Sequence, residues 1–416
     1  MSERILVLGN GFDIGHELPT KYSDFLRFTE LIEIVFAKGK KCDEYESIIA
    51  EFGECFSKTF ESVYKEYELL FHQMWSELNR DNFWINHFKQ AEQLSEGWID
   101  FEAEISAVIH DLEEIMTQAK REGTPLHRMP FFPPQIAKRV MKQKKELNDI
   151  NVSKMLIGDL NNVKRSLELY LSIVINEMKI SSVKKDILDV RPTKVLCFNY
   201  TNTYKRFYGG TDDNIDWDYI HGWADKNRRP VDNNMVLGIG EYLDDDRKST
   251  DLLFLEFKKY YQRQRFDARR RSEDWSREIK KDELYQESAR KFLFEEEVSY
   301  YLKNYTPISE RESFNNENYE RLLKEKALLF EKNHPMHEVF FYGHSLGETD
   351  RDIIRKLVLN SNVHTIIYYH NMTAYGDLIR NLIRVIGQEE FISRTGGENR
   401  MIEFRRQSDF VDEGIE

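Results

Sequence analysis

The sequence predicts an α/β protein whose Rossmann-like parallel sheet carries large helical insertions. Short apolar runs without polar alternation occur in three regions of the chain, as in strands that are covered on both faces. Longer segments with helical spacing of apolar residues separate these regions. Each region contains a run that ends at Gly, Asn or His, and ligands of open parallel sheets bind at the carboxyl ends of strands. We therefore expect one sheet with a ligand site at its edge.

The predicted strands begin at the N-terminus. The first, Ile5–Leu8, is uniformly apolar and stops at Gly9. Two later groups of predicted strands are also apolar without polar alternation. Several strands in these groups also stop at a polar residue or a glycine. The remaining strands are predicted at Lys194–Tyr200, Tyr219–His221, Met235–Ile239, Glu338–Tyr342, Thr365–Tyr369 and Met401–Phe404.

Helices are predicted between the strand groups, where Glu, Leu, Phe and Tyr are frequent and Pro is rare. Pro307 is expected to break the last helical segment, and the Pro-rich stretch Pro125–Pro134 is the best candidate for a loop or hinge. The helical segments are Tyr22–Phe88, Trp98–Met116, Leu167–Met178 and Asp251–Leu329.

This alternation predicts one sheet domain that is interrupted twice. Residues 1–20, 190–245 and 336–416 are expected to form this sheet domain. Residues 21–189 would then be a first helical insertion and residues 246–335 a second. No repeat or low-complexity linker suggests a different division.

The composition excludes several classes of protein. The 416 residues carry a formal net charge of -13, which argues against a broad nucleic-acid footprint. The three cysteines form no C-x-x-C pair, which predicts neither a disulfide framework nor a structural zinc site and favours a reducing compartment. No apolar run approaches the roughly 18 residues of a membrane span. The first residues lack the features of a signal peptide, so we expect a cytoplasmic protein. We expect no metal site in this protein.

The glycine-rich turn after the first strand is the first candidate site. In Gly9-Asn10-Gly11-Phe12-Asp13 the glycines would let backbone N–H groups approach a phosphate or a ribose. The dinucleotide fingerprint G-x-G-x-x-G is incomplete, because the third glycine falls one residue late, so a simple tight turn explains the motif equally well. Asp13 would either cap the following helix or accept a hydrogen bond from a ribose hydroxyl.

Asn199 and His221 are predicted at the ends of neighbouring strands, where both would face one pocket. Histidine titrates near neutrality and can take a proton from a sugar hydroxyl or from water. Asparagine both donates and accepts, so it can orient a water molecule without carrying charge. The alternative is a structural histidine and a turn-forming asparagine, and for an isolated pair that alternative is favoured.

The motif Gly343-His344-Ser345-Leu346-Gly347 matches G-x-S-x-G and lies between a predicted strand and a predicted helix. This is the context of the nucleophile elbow in α/β-hydrolases. Ser345 would then be the nucleophile, with Asp350 or Asp352 and His364 or His370 as its partners. The motif comes late in the chain and is followed by charged residues, which favours a different role: Gly343 and Ser345 would present N–H and hydroxyl groups to a nucleotide phosphate.

Two charged features complete the candidates. Glu102 lies at the edge of the apolar arc of its predicted helix, so it is either paired with a basic side chain or turned into a cleft, and pairing is favoured. The run Phe257–Lys281 interleaves basic and aromatic residues, which is compatible with nucleic-acid binding. Acidic residues interrupt the run, and a solvated helix face is favoured.

Taken together, three motifs resemble the bacteriophage abortive-infection AbiH family. They are ILVLGNGFDIGHELPTKYSDFL from Ile5, FNYTNTY from Phe198 with IHG from Ile220, and FYGHSLGETD from Phe341. The order of these motifs covers nearly the whole chain. The segment GWIDFE at Gly97–Glu102 also looks like the Trp/Asp/Glu helix motif of the family.

The family in turn resembles sirtuin-like NAD-binding domains. Gly9 and Gly11 match the sirtuin Gly-Ala-Gly turn, His221-Gly222 matches the catalytic His-Gly pair, and Asn199 falls where sirtuins have their Asn-Ile-Asp motif. Thr201 stands where sirtuins have the aspartate, and the four zinc-ribbon cysteines are missing, which weakens the case for a protein deacylase. The resemblance implies NAD hydrolysis, with Asn199 and His221 catalytic. It implies NAD contacts at Gly9, Asn10, Gly11, Phe12, Asp13, Thr201, Gly343, His344 and Ser345.

Three functions follow from these candidates. The first is an anti-phage effector that hydrolyses NAD to nicotinamide and ADP-ribose, with Phe12 shielding the nicotinamide and a phage-derived trigger as partner. The second is a serine esterase that uses Ser345. The third is a non-catalytic nucleotide-binding switch whose insertions bind another protein. Nucleic acid and membrane are not expected as partners, and self-association stays open.

Overall fold

A six-stranded, wholly parallel sheet forms the centre of the molecule. Its strands are β1 (Arg4–Leu8), β3 (Lys194–Cys197), β4 (Asp216–Tyr219), β5 (His337–Tyr342), β6 (Val363–Tyr369) and β7 (Ile402–Arg406). A separate antiparallel pair joins β2 (Val183–Lys184) to β8 (Phe410–Val411). The computed structural model describes residues 2–78, 81–95, 99–180, 182–209, 214–240, 251–266, 270–291, 336–397, 400–408 and 410–411.

The strands lie in the order β4-β3-β1-β5-β6-β7. Counted along the chain, this is the order 3-2-1-4-5-6 of the Rossmann fold. The chain first adds strands on one side of β1 and then crosses to add the others on the opposite side. The order therefore reverses between β1 and β5, and ligands of such sheets bind in the crevice at that point. The predicted α/β class with a parallel sheet is confirmed.

Most of the predicted strands exist, but two of them stop earlier than expected and one is absent. The middle strands end at Cys197 and Tyr219, so Asn199 and His221 lie in the loops that follow. The prediction of a strand at Met235–Ile239 is wrong, because this segment makes only a single bridge, from Ile239 to Lys258. Its other backbone groups bond to loops and side chains, as when Val236 N donates to His221 O at 2.8 Å.

The helices before β2 share one apolar cluster with residues from the segment after β4 and from the segment before Lys259, and this cluster is separate from the apolar residues that cover the two faces of the sheet. No helix in the described part of the chain combines the length and apolar character needed to cross a membrane. The early helices are α1 (Gly11–Ile14), α2 (Tyr22–Lys38), α3 (Asp43–Glu66), α4 (Glu68–Leu78), α5 (Phe83–Leu94), α6 (Phe101–Glu122), α7 (Pro134–Lys142) and α8 (Asp149–Leu169).

The later helices pack around the sheet and its loops. They are α9 (Lys185–Val190), α10 (Thr203–Phe207), α11 (Lys259–Arg265), α12 (Arg270–Lys291), α13 (Arg351–Val358), α14 (Met372–Ile386) and α15 (Gln388–Thr395).

Two helix predictions need correction. The segment Leu167–Met178 is not one α-helix, because α8 ends at Leu169 and a π-helical turn, Tyr170–Val174, follows it. The helix predicted from Trp98 begins at Phe101, where the Asp100 side chain accepts hydrogen bonds from the N–H groups of Glu102 and Ala103. Trp98 and Pro307 lie outside the described residues.

The loops that follow β1 and β5 cross at van der Waals distance, and this contact requires glycine. Gly343 has a φ of +65°, and a Cβ at this position would lie 2.1 Å from the backbone nitrogen of Phe12. A Cβ on Gly9 would lie 2.5 Å from the Cα of His344, and one on Gly11 would lie 2.9 Å from the Cα of Gly343. The two loops therefore close the switch point of the sheet with backbone against backbone.

We predict that Gly343→Ala destabilises the protein by more than about 4 kcal/mol, because the methyl group meets backbone atoms that cannot move aside without separating the loops. Gly387→Ala is the matched control: Gly387 also has a positive φ, of +94°, but a Cβ at this position would have no atom within 4 Å. The control should cost only about 1–2 kcal/mol of backbone strain. Urea unfolding of both variants measures the difference, and equal losses would contradict the proposed steric constraint.

Candidate functional site

A cavity of about 350 Å³ opens at the carboxyl ends of β1, β3 and β5, at the point where the strand order reverses. Its volume falls within the range of small-molecule sites, roughly 300–1,000 Å³. Ten of the eleven residues predicted for the site line it: Gly9, Asn10, Gly11, Asp13, Asn199, Thr201, His221, Gly343, His344 and Ser345. Residues of the helices and of the segment before α6 also contribute to its walls, namely Tyr22, Ile99, Asp100, Glu102, Leu167, Leu171 and Lys259.

The glycine turn at the end of β1 is bonded within the fold. Gly9 N donates to Tyr342 O at 3.1 Å, and Gly11 N donates to Gly343 O at 2.8 Å. These two N–H groups therefore have backbone partners in place of the phosphate that was expected. The Asn10 side chain is also engaged, since it exchanges hydrogen bonds with the hydroxyl and the carbonyl of Thr20. The turn shapes the cavity wall, and the glycines are explained by the contact with the β5 loop.

Phe12 is the predicted site residue that does not line the cavity. Its ring is buried in the cluster beneath the sheet edge, 4.5 Å from the ring of His16 and 5.6 Å from that of Tyr208. The expected role of shielding a nicotinamide ring therefore does not fit this side chain. The sequence pattern placed Phe12 beside the glycines but carried no information on which side of the turn its ring faces.

Asp13 is buried at the cavity wall and joins β1 to the loop after β3. Its Oδ2 accepts a hydrogen bond from the Thr201 hydroxyl at 2.5 Å and one from the Asn199 amide at 3.3 Å. The Asn199 amide also donates to Gly9 O at 3.0 Å. Burial raises the pKa of Asp13 to about 6, although these donors oppose the shift. The carboxyl is largely ionised at pH 7, and it does not act as an N-terminal helix cap, because it lies inside the short helix α1.

His221 is buried in the loop after β4, and its ring is neutral. Burial lowers the pKa of His221 to about 3, although the nearby Asp350 carboxylate opposes this shift. The Nε2 atom of His221 lies 3.4 Å from Oδ1 of Asp350. This contact assigns the proton to Nε2 and leaves Nδ1 as an acceptor.

A buried ion cluster connects the helices to the strand-end loops. Lys259 Nζ lies 2.7 Å from Oε2 of Glu102 and 3.5 Å from Oδ1 of Asp350. Arg263, one helical turn after Lys259 on α11, donates to Asp350 at 2.8 Å. Although burial opposes the shift, Lys259 and His221 hold the pKa of Asp350 well below its ordinary value. Glu102, Lys259 and Asp350 come from three distant segments of the chain.

The expectation that Glu102 has a basic partner is confirmed by its contact with Lys259, and Glu102 also lines the cavity. Glu102 is therefore both paired with a basic side chain and turned into a cleft. Burial raises the pKa of Glu102 to about 7, although Lys259 opposes the shift. The run Phe257–Lys281 is only partly a solvated helix face, because Lys259 and Arg263 are buried in this ion cluster.

The loop after β5 presents Ser345 on the surface of the cavity, while His344 is buried behind it. His344 Nδ1 accepts a hydrogen bond from Leu346 N at 3.0 Å, and burial lowers the pKa of His344 to about 4. The positive φ of this turn falls on Gly343 and Leu346, whereas a nucleophile elbow strains the serine itself.

The partners of a serine triad are not assembled. Asp350 is committed to Lys259 and Arg263. His364 is the second residue of β6 and pairs with Glu338 near the amino end of the sheet, whereas Ser345 follows the carboxyl end of β5. His370 follows the carboxyl end of β6, at the same edge of the sheet as Ser345, but no hydrogen bond joins the two side chains among the described residues. The geometry therefore lacks the serine–histidine contact that the esterase alternative requires.

Within the described part of the chain, three buried acceptor atoms of residues that line the cavity have no hydrogen-bond partner: Oδ1 of Asp13, Oδ1 of Asn199 and Nδ1 of His221. The Asn199 amide orientation is set by its two acceptors, Gly9 O and Asp13 Oδ2, so its oxygen is the free atom. A buried acceptor without a partner is costly, by about 1–3 kcal/mol. Hydrogen-bond donors from a bound ligand or from water would remove that cost.

The sequence pattern missed Lys259 and Arg263. The signal that could have found them is their i, i+4 spacing in FKKYYQRQR, which places two cations on one face of a helix. A second cavity, of about 550 Å³, lies among α5, α6 and α7 and includes none of the predicted site residues. Within the described ranges, no cluster of three or more His, Cys, Asp or Glu side chains is arranged to hold a metal ion.

Comparison with known proteins identifies one family. The family model described as bacteriophage abortive infection AbiH matches residues 5–370, which include every residue that lines the strand-end cavity. No curated protein and no solved structure matches the chain.

We predict that Asp13→Asn gains stability relative to the natural chain as pH rises. Burial favours the protonated Asp13 carboxyl, so its folded pKa of about 6 exceeds the unfolded value. Ionisation therefore costs folding stability as pH rises from about 4 through 6, and the amide variant lacks that cost. Between pH 5 and pH 7.5, the stability difference should widen by about 1 kcal/mol in favour of Asp13→Asn.

Thermal and urea unfolding at the two pH values measure this difference. Asp232→Asn serves as the control, because Asp232 is exposed beside Arg229 and its pKa is lowered, so it is ionised in both states throughout this range. The difference in unfolding free energy between Asp232→Asn and the natural chain should be the same at both pH values. A constant difference for Asp13→Asn as well would show that the pKa of Asp13 is not raised.

Proposed function

This chain belongs to the bacteriophage abortive infection AbiH family, and we propose that it is a cytoplasmic anti-phage effector that hydrolyses NAD to nicotinamide and ADP-ribose. The family supports the role in abortive infection, and the strand-end cavity is where we place NAD. The proposal retains a phage-derived trigger and a nucleotide-binding core formed by residues 1–20, 190–245 and 336–416, with the two helical insertions around it.

The observation that carries the proposal is the set of unpartnered acceptors at Asp13, Asn199 and His221. A ribose offers adjacent hydroxyl donors, and these can satisfy acceptors that the protein leaves free. The location supports the same ligand class, since the cavity lies at the switch point of a sheet with the Rossmann strand order. A rigid, preformed arrangement of acceptors would hold the ribose ring without reorganisation.

The proposed reaction breaks the bond between C1′ of the ribose and the pyridinium nitrogen. The electron pair of that bond leaves with nicotinamide, which becomes neutral, and positive charge develops on the ribose. A water oxygen then bonds to C1′ and loses one proton, which gives ADP-ribose. No general acid is needed for a leaving group that departs as a neutral molecule.

The side chains at the cavity suit these steps. The buried Asp13 carboxylate, largely ionised at pH 7, would stabilise the positive charge on the ribose. His221 Nδ1 is a free acceptor for the ribose hydroxyl or for the attacking water. Water that has bonded to a cationic centre is strongly acidic, so a histidine of low pKa suffices to take its proton. Asn199 would orient that water through its free oxygen.

We predict that infected cells carrying the natural chain lose NAD and that cells carrying His221→Gln do not. Glutamine removes the imidazole acceptor while it keeps a polar side chain of similar length. Cellular NAD and free nicotinamide after infection measure the effect, together with phage yield. The expected loss of NAD-cleaving activity in His221→Gln is at least about 100-fold, as for the removal of an acid–base residue.

The matched control is His364→Gln, which makes the same chemical change near the amino end of the sheet. It should retain both NAD depletion and phage protection. Calorimetric titration with NAD and thermal melts of the purified chains show whether the variants fold and bind. Binding of NAD without release of nicotinamide, even in infected cells, would favour the nucleotide-binding switch. Absence of NAD binding by the natural chain would refute the proposal.

The serine of the late motif gives a further test. Ser345→Ala should retain at least about half of the NAD depletion, because the exposed hydroxyl takes no part in bond cleavage and an exposed contact contributes little binding energy. The natural chain should also resist labelling by a fluorophosphonate probe, since none of the described histidines forms a hydrogen bond with Ser345. Covalent labelling at Ser345, lost in Ser345→Ala, would instead establish the esterase.

A further inference from the structure

The cavity is acidic. Of the described residues that line it, four are carboxylates, at Asp13, Asp100, Glu102 and Asp350, and one, Lys259, is a permanent cation. Arg263 adds a second positive charge next to Asp350. The two histidines of the wall are neutral, because burial lowers the pKa of both. Lys259 and Arg263 balance the charges of Glu102 and Asp350, so Asp13 and Asp100 give the cavity its net negative charge. A net negative charge attracts a cation and disfavours a pyrophosphate.

Three aromatic side chains, Tyr22, Phe198 and Tyr200, line the cavity together with Glu102. The Tyr22 ring stacks on Phe101, the residue before Glu102, with ring centroids 4.2 Å apart. Burial and, after it, the Glu102 carboxylate raise the pKa of the Tyr200 hydroxyl. Aromatic faces and a carboxylate together are the features that bind a flat cation.

Glu102 also remains accessible to a ligand. Its side chain is 15% exposed although Lys259 holds one of its oxygens, whereas Lys259 is 3% exposed. The free acceptors of Asn199 and His221 belong to the same cavity, so a ring bound at the aromatic side chains would carry its ribose towards them.

We propose that the carboxylate of Glu102 selects a cationic aromatic ring, so that the cavity takes the pyridinium end of an oxidised nicotinamide nucleotide and rejects the neutral, reduced ring. This inference rests on the proposed function, which it deepens by orienting the ligand. The phosphates and the adenosine then lie outside the cavity. The residue that sets this preference comes from α6, in the predicted helical insertion, and not from the loops of the sheet.

The preference follows from charge. The oxidised pyridinium ring carries a positive charge next to the aromatic faces and the Glu102 oxygen, and the reduced dihydropyridine ring has the same outline without that charge. The remaining portions of the two nucleotides are identical, so their contacts cancel in the comparison. A difference in affinity therefore measures the recognition of the ring.

Calorimetric titration of the full chain with NAD⁺ and with NADH tests the proposal. It is carried out at pH 8, because burial raises the pKa of Glu102 to about 7 and the carboxyl is mostly ionised at this pH. We expect the natural chain to bind NAD⁺ at least about tenfold more tightly than NADH. In Glu102→Gln the affinity for NAD⁺ should fall about fivefold or more, while the affinity for NADH changes less than twofold. Glu104→Gln, two residues further along α6, is the matched control, because Glu104 pairs with His87 and does not line the cavity.

Each outcome has a distinct meaning. Equal affinity of the natural chain for NAD⁺ and NADH would overturn the selection by charge, whether or not any variant folds, and would leave NAD hydrolysis standing. Equal losses for both nucleotides in Glu102→Gln would show that Glu102 only supports the fold. Failure of the natural chain to bind NAD⁺ at all would instead refute the proposed function.

Discussion

The buried ammonium of Lys259 is the interaction on which the assembled site depends. It lies between Glu102 of α6 and Asp350 of the loop after β5, and it comes itself from α11. Three segments that are far apart in the chain therefore meet at one charge. Removing a single partner from such a buried group leaves an uncompensated charge, which costs about 3–5 kcal/mol. The same cluster fixes the proton of His221 through Asp350, so the position of the helices and the state of the histidine are physically linked.

The sheet sets a second, independent constraint. β1 and β5 are neighbours only because the chain crosses from one side of the sheet to the other, and their loops meet where the crossing begins. The contact at Gly9, Gly11 and Gly343 leaves no room for a Cβ, so these glycines are explained without a ligand. A glycine motif at a strand end therefore has two physical causes, contact with a ligand and contact with another loop. In this structure the cause is contact with another loop. A ligand in the cavity would contact the side chains that this loop contact positions.

Much of this arrangement could be predicted from the sequence. Continuous apolar runs located the strands of the parallel sheet, and the polar residues after those runs located the edge at which they meet. The positions of Asp13, Asn199, His221 and Ser345 followed from that reasoning. Side-chain direction did not, because a loop has no periodicity to reveal it, and so Phe12 was expected in the cavity although its ring packs in the core. Lys259 and Arg263 were missed because their partners are distant in sequence, and a basic run looks the same whether its charges are solvated or paired.

Burial sets the charge states of the titratable groups at the cavity, and the sequence alone cannot show these charge states. Isolated histidine and aspartate side chains would be expected to titrate near 6.5 and 3.9. Burial moves them in opposite directions, so that the pKa of His221 falls to about 3 and that of Asp13 rises to about 6. At neutral pH the imidazole is then an uncharged acceptor, and the carboxyl is still mostly an anion. A neutral acceptor beside an anion suits a ligand that brings hydroxyl donors and develops positive charge, whereas a protonated histidine would repel that charge. The low dielectric that makes these acceptors costly when empty also strengthens their effect on a bound cation.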